Sequence, residues 1–221
     1  MNRNIQSIQD AIRTCLESSK APIPSKIGDE KDKWTIEALE KVLLENYVSI
    51  VSARGRKFIK DEFTLYNIHR VAEWLKNDSK DGLLLYGEVG TGKTTLMRSL
   101  FQVLKIDLRR KVDILTAFQL VELFQHRDID SYPFEYEKNV DFLFIDDAGV
   151  EPDYCCIWGT DYEPMRDLLA YRYDARKYTI ISSNLGNEEL IQKYGLRIFD
   201  RMIETYDRIT YEFEGYRKNP L

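Results

Sequence analysis

The stretch GEVGTGKT, Gly87 to Thr94, has glycines at 87 and 92, a lysine at 93 and a threonine at 94. That is the spacing of a loop that curls its backbone N–H groups around phosphates. What flanks it decides the fold. Before it, LLLYG (Leu83 to Gly87) is a compact strand-like run; after it, KTTLMRSLFQVL places Leu96, Leu100, Val103 and Leu104 at helical spacing. Strand, glycine loop and helix is the order a phosphate site needs, because the helix then presents its positive N-terminal end to the anion. Read this way, Gly87, Glu88, Val89, Gly90, Thr91, Gly92, Lys93, Thr94 and Thr95 hold a nucleotide, ATP with Mg2+. Lys93 reaches the terminal phosphates and the Thr94 hydroxyl holds the ion.

Magnesium also asks for a carboxylate at the end of a neighbouring buried strand. FLFIDDAG supplies Asp146 and Asp147 where the apolar run Phe142 to Ile145 stops. Asp146 is the metal-side acid, and Asp147 the residue that orients or deprotonates the attacking water. A further strand, YTIISSN, ends in Asn184, flanked by Ser182 and Ser183. An uncharged amide at a strand tip can hold the terminal phosphate or the water without exchanging a proton. Later, RIFDRM (Arg197 to Met202) sets two arginines four residues apart, on one side of a helix.

The remaining pieces alternate. Strand KVDIL, helix AFQLVELFQH, strand DFLFIDD, helix EPMRDLLAYRYDA and strand YTIISSN form an α/β series, expected to build a mostly parallel sheet covered on both faces. RITYEFEG alternates Ile209, Tyr211 and Phe213 with polar residues and reads as a closing strand. Upstream, SSKAPIPSK breaks the pattern, and TIEALEKVLLENYVSI places Ile36, Leu39, Leu43, Tyr47 and Ile50 on one helical stripe behind a Thr35 cap. Such a stripe is either core packing, its commoner use, or a partner-docking face. The expected division is a helical N-terminal extension over 1–60, with partner binding as one use, and a nucleotide-binding core over 61–221. GVEPDYCCIWGTDYEP, with Tyr154, Trp158 and Tyr162, is a surface loop or a contact surface.

Composition narrows the class. With 43% hydrophobic and 31% charged residues the 221-residue chain reads as a soluble globular protein, and no apolar run approaches the roughly 20 residues that span a bilayer. The opening MNRNIQSIQD has no apolar core of a secretion signal, so no membrane is expected and the cytoplasm is the expected location. Net charge −5 argues against a chain coated for nonspecific DNA binding, while leaving room for a local patch. Cys15, Cys155 and Cys156 make no disulfide framework, and with two histidines they make a poor zinc set.

Taken in order, the phosphate loop, FLFIDDAG, YTIISSN and RIFDRM resemble the AAA+ ATPases of the DnaC/IstB type, bacterial and phage helicase loaders and transposition ATPases, with DnaA a more distant relative. The resemblance runs from about Phe63 to Arg217, and the ending FEGYRKN is similar to the family's short finish without a C-terminal helical lid. It implies a P-loop AAA+ core in which Asp146 and Asp147 bind magnesium and activate water, although the family more often has glutamate second. It implies a first sensor at Asn184, a trans-acting finger at Arg201, and intersubunit contacts at Arg197 and, through the RY pair, Arg172. The implied protein is a Mg-dependent ATPase of DNA replication, weak without assembly. Its implied partners are other copies of itself, a replicative helicase and single-stranded DNA. A transposition ATPase on duplex DNA, or a nucleotide-gated adaptor with negligible hydrolysis, are the alternatives.

Overall fold

Glycine and apolar residues at Gly82–Gly87 make strand β1, which leads into the glycine loop, in a computed structural model that describes residues 25–28, 31–126 and 134–211. Cys15, the arm before SSKAPIPSK, and Phe213 with the ending FEGYRKN lie outside those residues. Two helices precede β1. Helix α1 (Ile36–Ala53) is capped by Thr35, whose side chain accepts from the Ala38 N–H; α2 (Glu62–Lys76) is capped in the same way by Asp61 on Thr64. After β1 come α3 (Lys93–Gln102), running into one π turn over 103–107, then β2 (Val112–Thr116) and α4 (Ala117–Gln125). Short α5 (Glu135–Asn139), β3 (Phe142–Ala148), a hairpin of β4 (Cys155–Ile157) and β5 (Thr160–Tyr162), and α6 (Pro164–Asp174) follow. The described chain closes with β6 (Tyr178–Ser183), α7 (Asn187–Tyr194), α8 (Leu196–Thr205) and β7 (Tyr206–Tyr211).

Five strands form one parallel sheet in the order β2-β3-β6-β1-β7. Alternation along each strand splits the core between its faces. On β1, Leu83 and Leu85 join α1, α2 and α3, while Leu84 joins α4, α6, α7 and α8. β3 divides likewise, Phe142 and Phe144 to the first face, Leu143 and Ile145 to the second. This is the two-sided burial that the unbroken apolar run announced.

One expected boundary needs correction. Leu39, Leu43 and Tyr47 of α1 are buried in the same cluster as β1 and α3, and the Ser99 hydroxyl on α3 donates to the Leu43 carbonyl at 2.6 Å. Residue 60 therefore separates no packing units: helix 36–53 is a layer of the core, its stripe buried within the chain. The acidic, aromatic loop read between β3 and α6 also contains structure. Trp158 and Gly159 at φ 48° and 78° supply the two left-handed positions of a tight hairpin turn. Cys155 is buried at its base, and the Tyr162 ring packs 5.4 Å from Phe124, leaving Trp158 exposed at the tip.

Candidate nucleotide site

In a parallel sheet every strand delivers its C-terminal end to one edge, and here that edge collects the polar residues. Between β1 and α3, Gly87, Gly90 and Gly92 have φ of 137°, 86° and 103°, left-handed values open to glycine at little cost. At Gly87 the need is also steric, since a Cβ there would lie 2.3 Å from the Tyr211 carbonyl oxygen on β7. Gly92 is the N-cap of α3 and offers no side-chain cap, so the first-turn N–H groups stay directed outward, as anion binding demands. The buried Lys93 ammonium donates to the Gly87 and Glu88 carbonyls at 2.6 and 2.7 Å, and the Thr91 hydroxyl braces the loop by donating to the Glu88 carbonyl at 2.9 Å.

Across the edge, β3 ends at the acids. The Thr94 hydroxyl donates to Asp146 Oδ1 at 3.1 Å, bringing the two expected magnesium ligands together although they are 52 residues apart. Both are hard oxygen donors, the type that magnesium takes beside phosphate oxygens, so the residues fit the ion. Asp146 is buried; Asp147 is half-buried and holds φ 55°, a left-handed conformation uncommon outside glycine. Ser182 on β6 links the pair. Its hydroxyl donates to Asp146 Oδ1 at 2.5 Å and accepts from the Asp147 N–H at 2.9 Å. Asn184 follows directly at the strand tip, exposed, on the same edge.

Two residues here lay outside the candidate set. Ser182 was visible only as a flank of Asn184, and its signal is parity: two residues before the strand-tip amide, it emerges on the same face. Arg54, at the end of α1, donates through Nη1 to Thr95 Oγ1 at 2.9 Å. No local pattern connects positions 41 residues apart.

The three arginines separate. Arg172 is a correction: expected at an intersubunit surface, it is 0% exposed. Its Nε donates to Thr179 Oγ1 at 2.9 Å, Nη2 to the Tyr178 carbonyl at 2.5 Å, and Nη1 to the carbonyls of Glu137, Lys138 and Val140 at 2.6, 3.3 and 3.1 Å. It clamps α5, α6 and β6 together inside the domain. Burial lowers its pKa to about 10, still charged at neutral pH. Arg197 is exposed on α8. Arg201, one turn on, lies 3.2 Å from Asp174 Oδ1 and 4.4 Å over the Tyr173 ring. Asp174 ends α6, just before β6 begins, so Arg201 stands toward the sheet edge opposite Gly87, a strand length of about 20 Å away. It is not part of its own chain's phosphate site.

Among the described residues no helix is long and apolar enough to cross a membrane, and no three His, Cys, Asp or Glu side chains cluster as a metal site. Among solved structures, the fold is similar to AMPPCP-bound DnaA from Aquifex aeolicus (20% identity, TM-score 0.56), over 71% of this chain and 49% of that one. The chain thus spans about half of that DnaA. A putative primosome component from Streptococcus pyogenes serotype M3 (20%, 0.57) matches over 72% and 83%, and the DnaC helicase loader (20%, 0.55) over 70% and 93%. No curated protein sequence matches. The chain thus shares the fold of the DnaC, DnaI and DnaA structures. Residues 63–183, more than half of the chain, match the family model for the threonylcarbamoyl adenosine biosynthesis protein TsaE, and the chain belongs to that P-loop family.

Proposed function

We propose that this chain is a cytoplasmic, Mg2+-dependent AAA+ ATPase of DNA replication, a DnaC-type helicase loader whose hydrolysis is completed between copies. The observation that carries the reading is the division of chemistry between the sheet's two ends. Phosphate loop, Asp146, Asp147, Ser182 and Asn184 share one edge, while Arg201 stands at the other. An arginine so placed cannot neutralise charge at its own site; in a ring or helical filament it is offered to a neighbour's.

In this function the loop backbone and Lys93 bind the phosphates of ATP or ADP, and Thr94 with Asp146 holds magnesium. Bound there, the ion neutralises charge on the terminal phosphates. Asp147 orients the attacking water, and the Asn184 amide holds that water or the terminal phosphate. Arg201 from a neighbouring copy supplies the remaining positive charge, with the exposed Arg197 as an interface contact on the same helix. The partners in this reading are further copies, a replicative helicase and single-stranded DNA.

The family match favours a second reading, an ATPase serving threonylcarbamoyl adenosine biosynthesis. That match ends at Ser183, before Asn184, α7, α8 and β7. The residues that give the first reading its intersubunit chemistry lie beyond it, which is why the replication reading is preferred.

Mass-resolved assembly with ATP, with and without single-stranded DNA, tests the proposal. The parent should form oligomers with nucleotide and hydrolyse ATP faster as it assembles; Lys93→Ala should do neither. A parent that remains monomeric in every condition, including with a replicative helicase, sinks it.

A further inference from the structure

The segment RGRKFIK, Arg54 to Lys60, closes α1 and carries four cations in seven residues of a chain whose net charge is −5. Arg54, Arg56, Lys57 and Lys60 are all exposed, and none takes part in an ion pair found among the described residues. Arg54 is the one whose position is defined, by its 2.9 Å bond to Thr95 Oγ1.

That bond is not needed to end the helix. The turn after α1 closes through its own backbone: the N–H groups of Arg54 and Arg56 reach the Val51 carbonyl, that of Gly55 reaches Ser52, and Gly55 takes φ 71°. Thr95 is the third residue of α3 counted from the Gly92 cap, so its own N–H is one of the unpaired first-turn donors that face bound phosphate. A hydroxyl is a modest partner for a guanidinium, which carries five donors in a planar fork suited to phosphate oxygens. Thr95 therefore holds a mostly unengaged cation beside the first turn of α3.

We propose that Arg54 is a cation of the nucleotide site: its fork, steadied by Thr95, donates to the α- and β-phosphate oxygens of ATP or ADP and ties the end of α1 to nucleotide occupancy. This rests on the reading of the site as an ATP site. Because α1 is a layer of the core rather than a tethered arm, occupancy then reaches the chain's N-terminal side through one side chain. ATP and ADP share the contacted phosphates, so Arg54 governs affinity for both and leaves the difference between them to Lys93 and Asn184.

Equilibrium titration of the full chain with fluorescent ATP and ADP analogues and Mg2+ tests this, comparing the parent with Arg54→Ala, Arg54→Lys, Thr95→Val and Lys93→Ala. Arg54→Ala should weaken both nucleotides by roughly tenfold, the size of one lost charge-assisted bond, and Arg54→Lys should recover part. Thr95→Val, which frees the fork without removing it, should weaken both by less. The thermal midpoint of nucleotide-free Arg54→Ala should match the parent, and hydrogen-exchange protection gained by residues 36–53 on ADP binding should be lost. Parent-like affinity in Arg54→Ala alongside lost binding in Lys93→Ala overturns the role of Arg54 and leaves the ATP site standing. If Lys93→Ala also binds as the parent does, or the parent binds neither nucleotide, the ATP reading fails and this inference with it.

Discussion

The two edges of the sheet treat charge in opposite ways. At the C-terminal edge the backbone turns left-handed at Gly87, Gly90, Gly92 and Asp147, and side chains such as Asn184 stay exposed. At the N-terminal edge charge is enclosed: Arg172 binds four carbonyls and a hydroxyl, and Lys26, 0% exposed, lies 4.7 Å from the Trp74 ring centroid and 5.2 Å from that of Tyr178. One edge gathers its polar groups around the glycine loop; the other uses them to hold helices and strands together. Arg201 falls between these types, 17% exposed in its side chain and resting on Asp174 and Tyr173.

The largest expected effect separates Arg201 from the closed edge it borders. With saturating ATP and assembling conditions, Arg201→Ala should reduce hydrolysis by about 10³ while nucleotide affinity stays within twofold of the parent. An unchanged assembled rate would return Arg201 to the closed edge, as a helix-packing residue. Next in size, Arg172→Met leaves the carbonyls of Glu137, Lys138, Val140 and Tyr178 short of their donor, at a cost of about 3 kcal/mol. In a domain of this size the thermal midpoint should fall by about 6–12 °C, with nucleotide affinity kept below the transition. An assembly defect at an unchanged midpoint would instead reinstate Arg172 at an interface.

Ser182→Ala probes the open edge more gently. Without its hydroxyl, Asp146 loses one of its two hydroxyl donors and the Asp147 N–H its acceptor. The turnover rate should drop about tenfold, with ATP affinity nearly intact and Ser182→Thr restoring much of the rate. An equal loss in ATP affinity would mean that Ser182 shapes the loop rather than the acids.

The edges also differ in how they could be read from sequence. The open one was legible because phosphate binding imposes spacing: Gly87, Gly92, Lys93 and Thr94 follow a local rule, and Asp146 and Asn184 each sit where an apolar run ends. The closed one was not. Arg172 is placed at an interface by the resemblance of its RY pair, and nothing local records that five acceptors from α5, β6 and the turn before β3 converge on it. Lys26 follows the same logic. The α1 stripe was legible as a face but not as to its partner, since periodicity states that a side is buried and not against what. The β4–β5 hairpin escaped for a different reason: three-residue strands are too short to show alternation, and their turn places tryptophan where a left-handed φ is usually left to glycine or asparagine.

The smallest expected effect concerns the enclosed lysine and is read as a slope with pH. Burial lowers the Lys26 pKa from 10.5 to about 8, because the charged ammonium gives up water against Trp74 and Tyr178, and nearby Asp78 and Asp81 only partly restore it. Between pH 8 and about 10 the unfolded chain therefore carries a proton on this residue that the folded chain has released. Stability rises with pH wherever the unfolded state binds more protons, so Lys26 should add a positive slope of at most about 1.4 kcal/mol per pH unit across that window. Above pH 10 the sign reverses. Tyr47 and Tyr206 are buried, with pKa values raised to about 12, so the folded chain then holds protons that the unfolded one has lost. Urea unfolding of the parent should thus give a midpoint that climbs from pH 8 and turns over near pH 10. Lys26→Met, which retains the stem against the rings, should remove the climb and keep the fall. A climb of equal steepness in Lys26→Met would show that the ammonium stays charged in its aromatic setting, making the cation–π contacts strong enough to offset its burial.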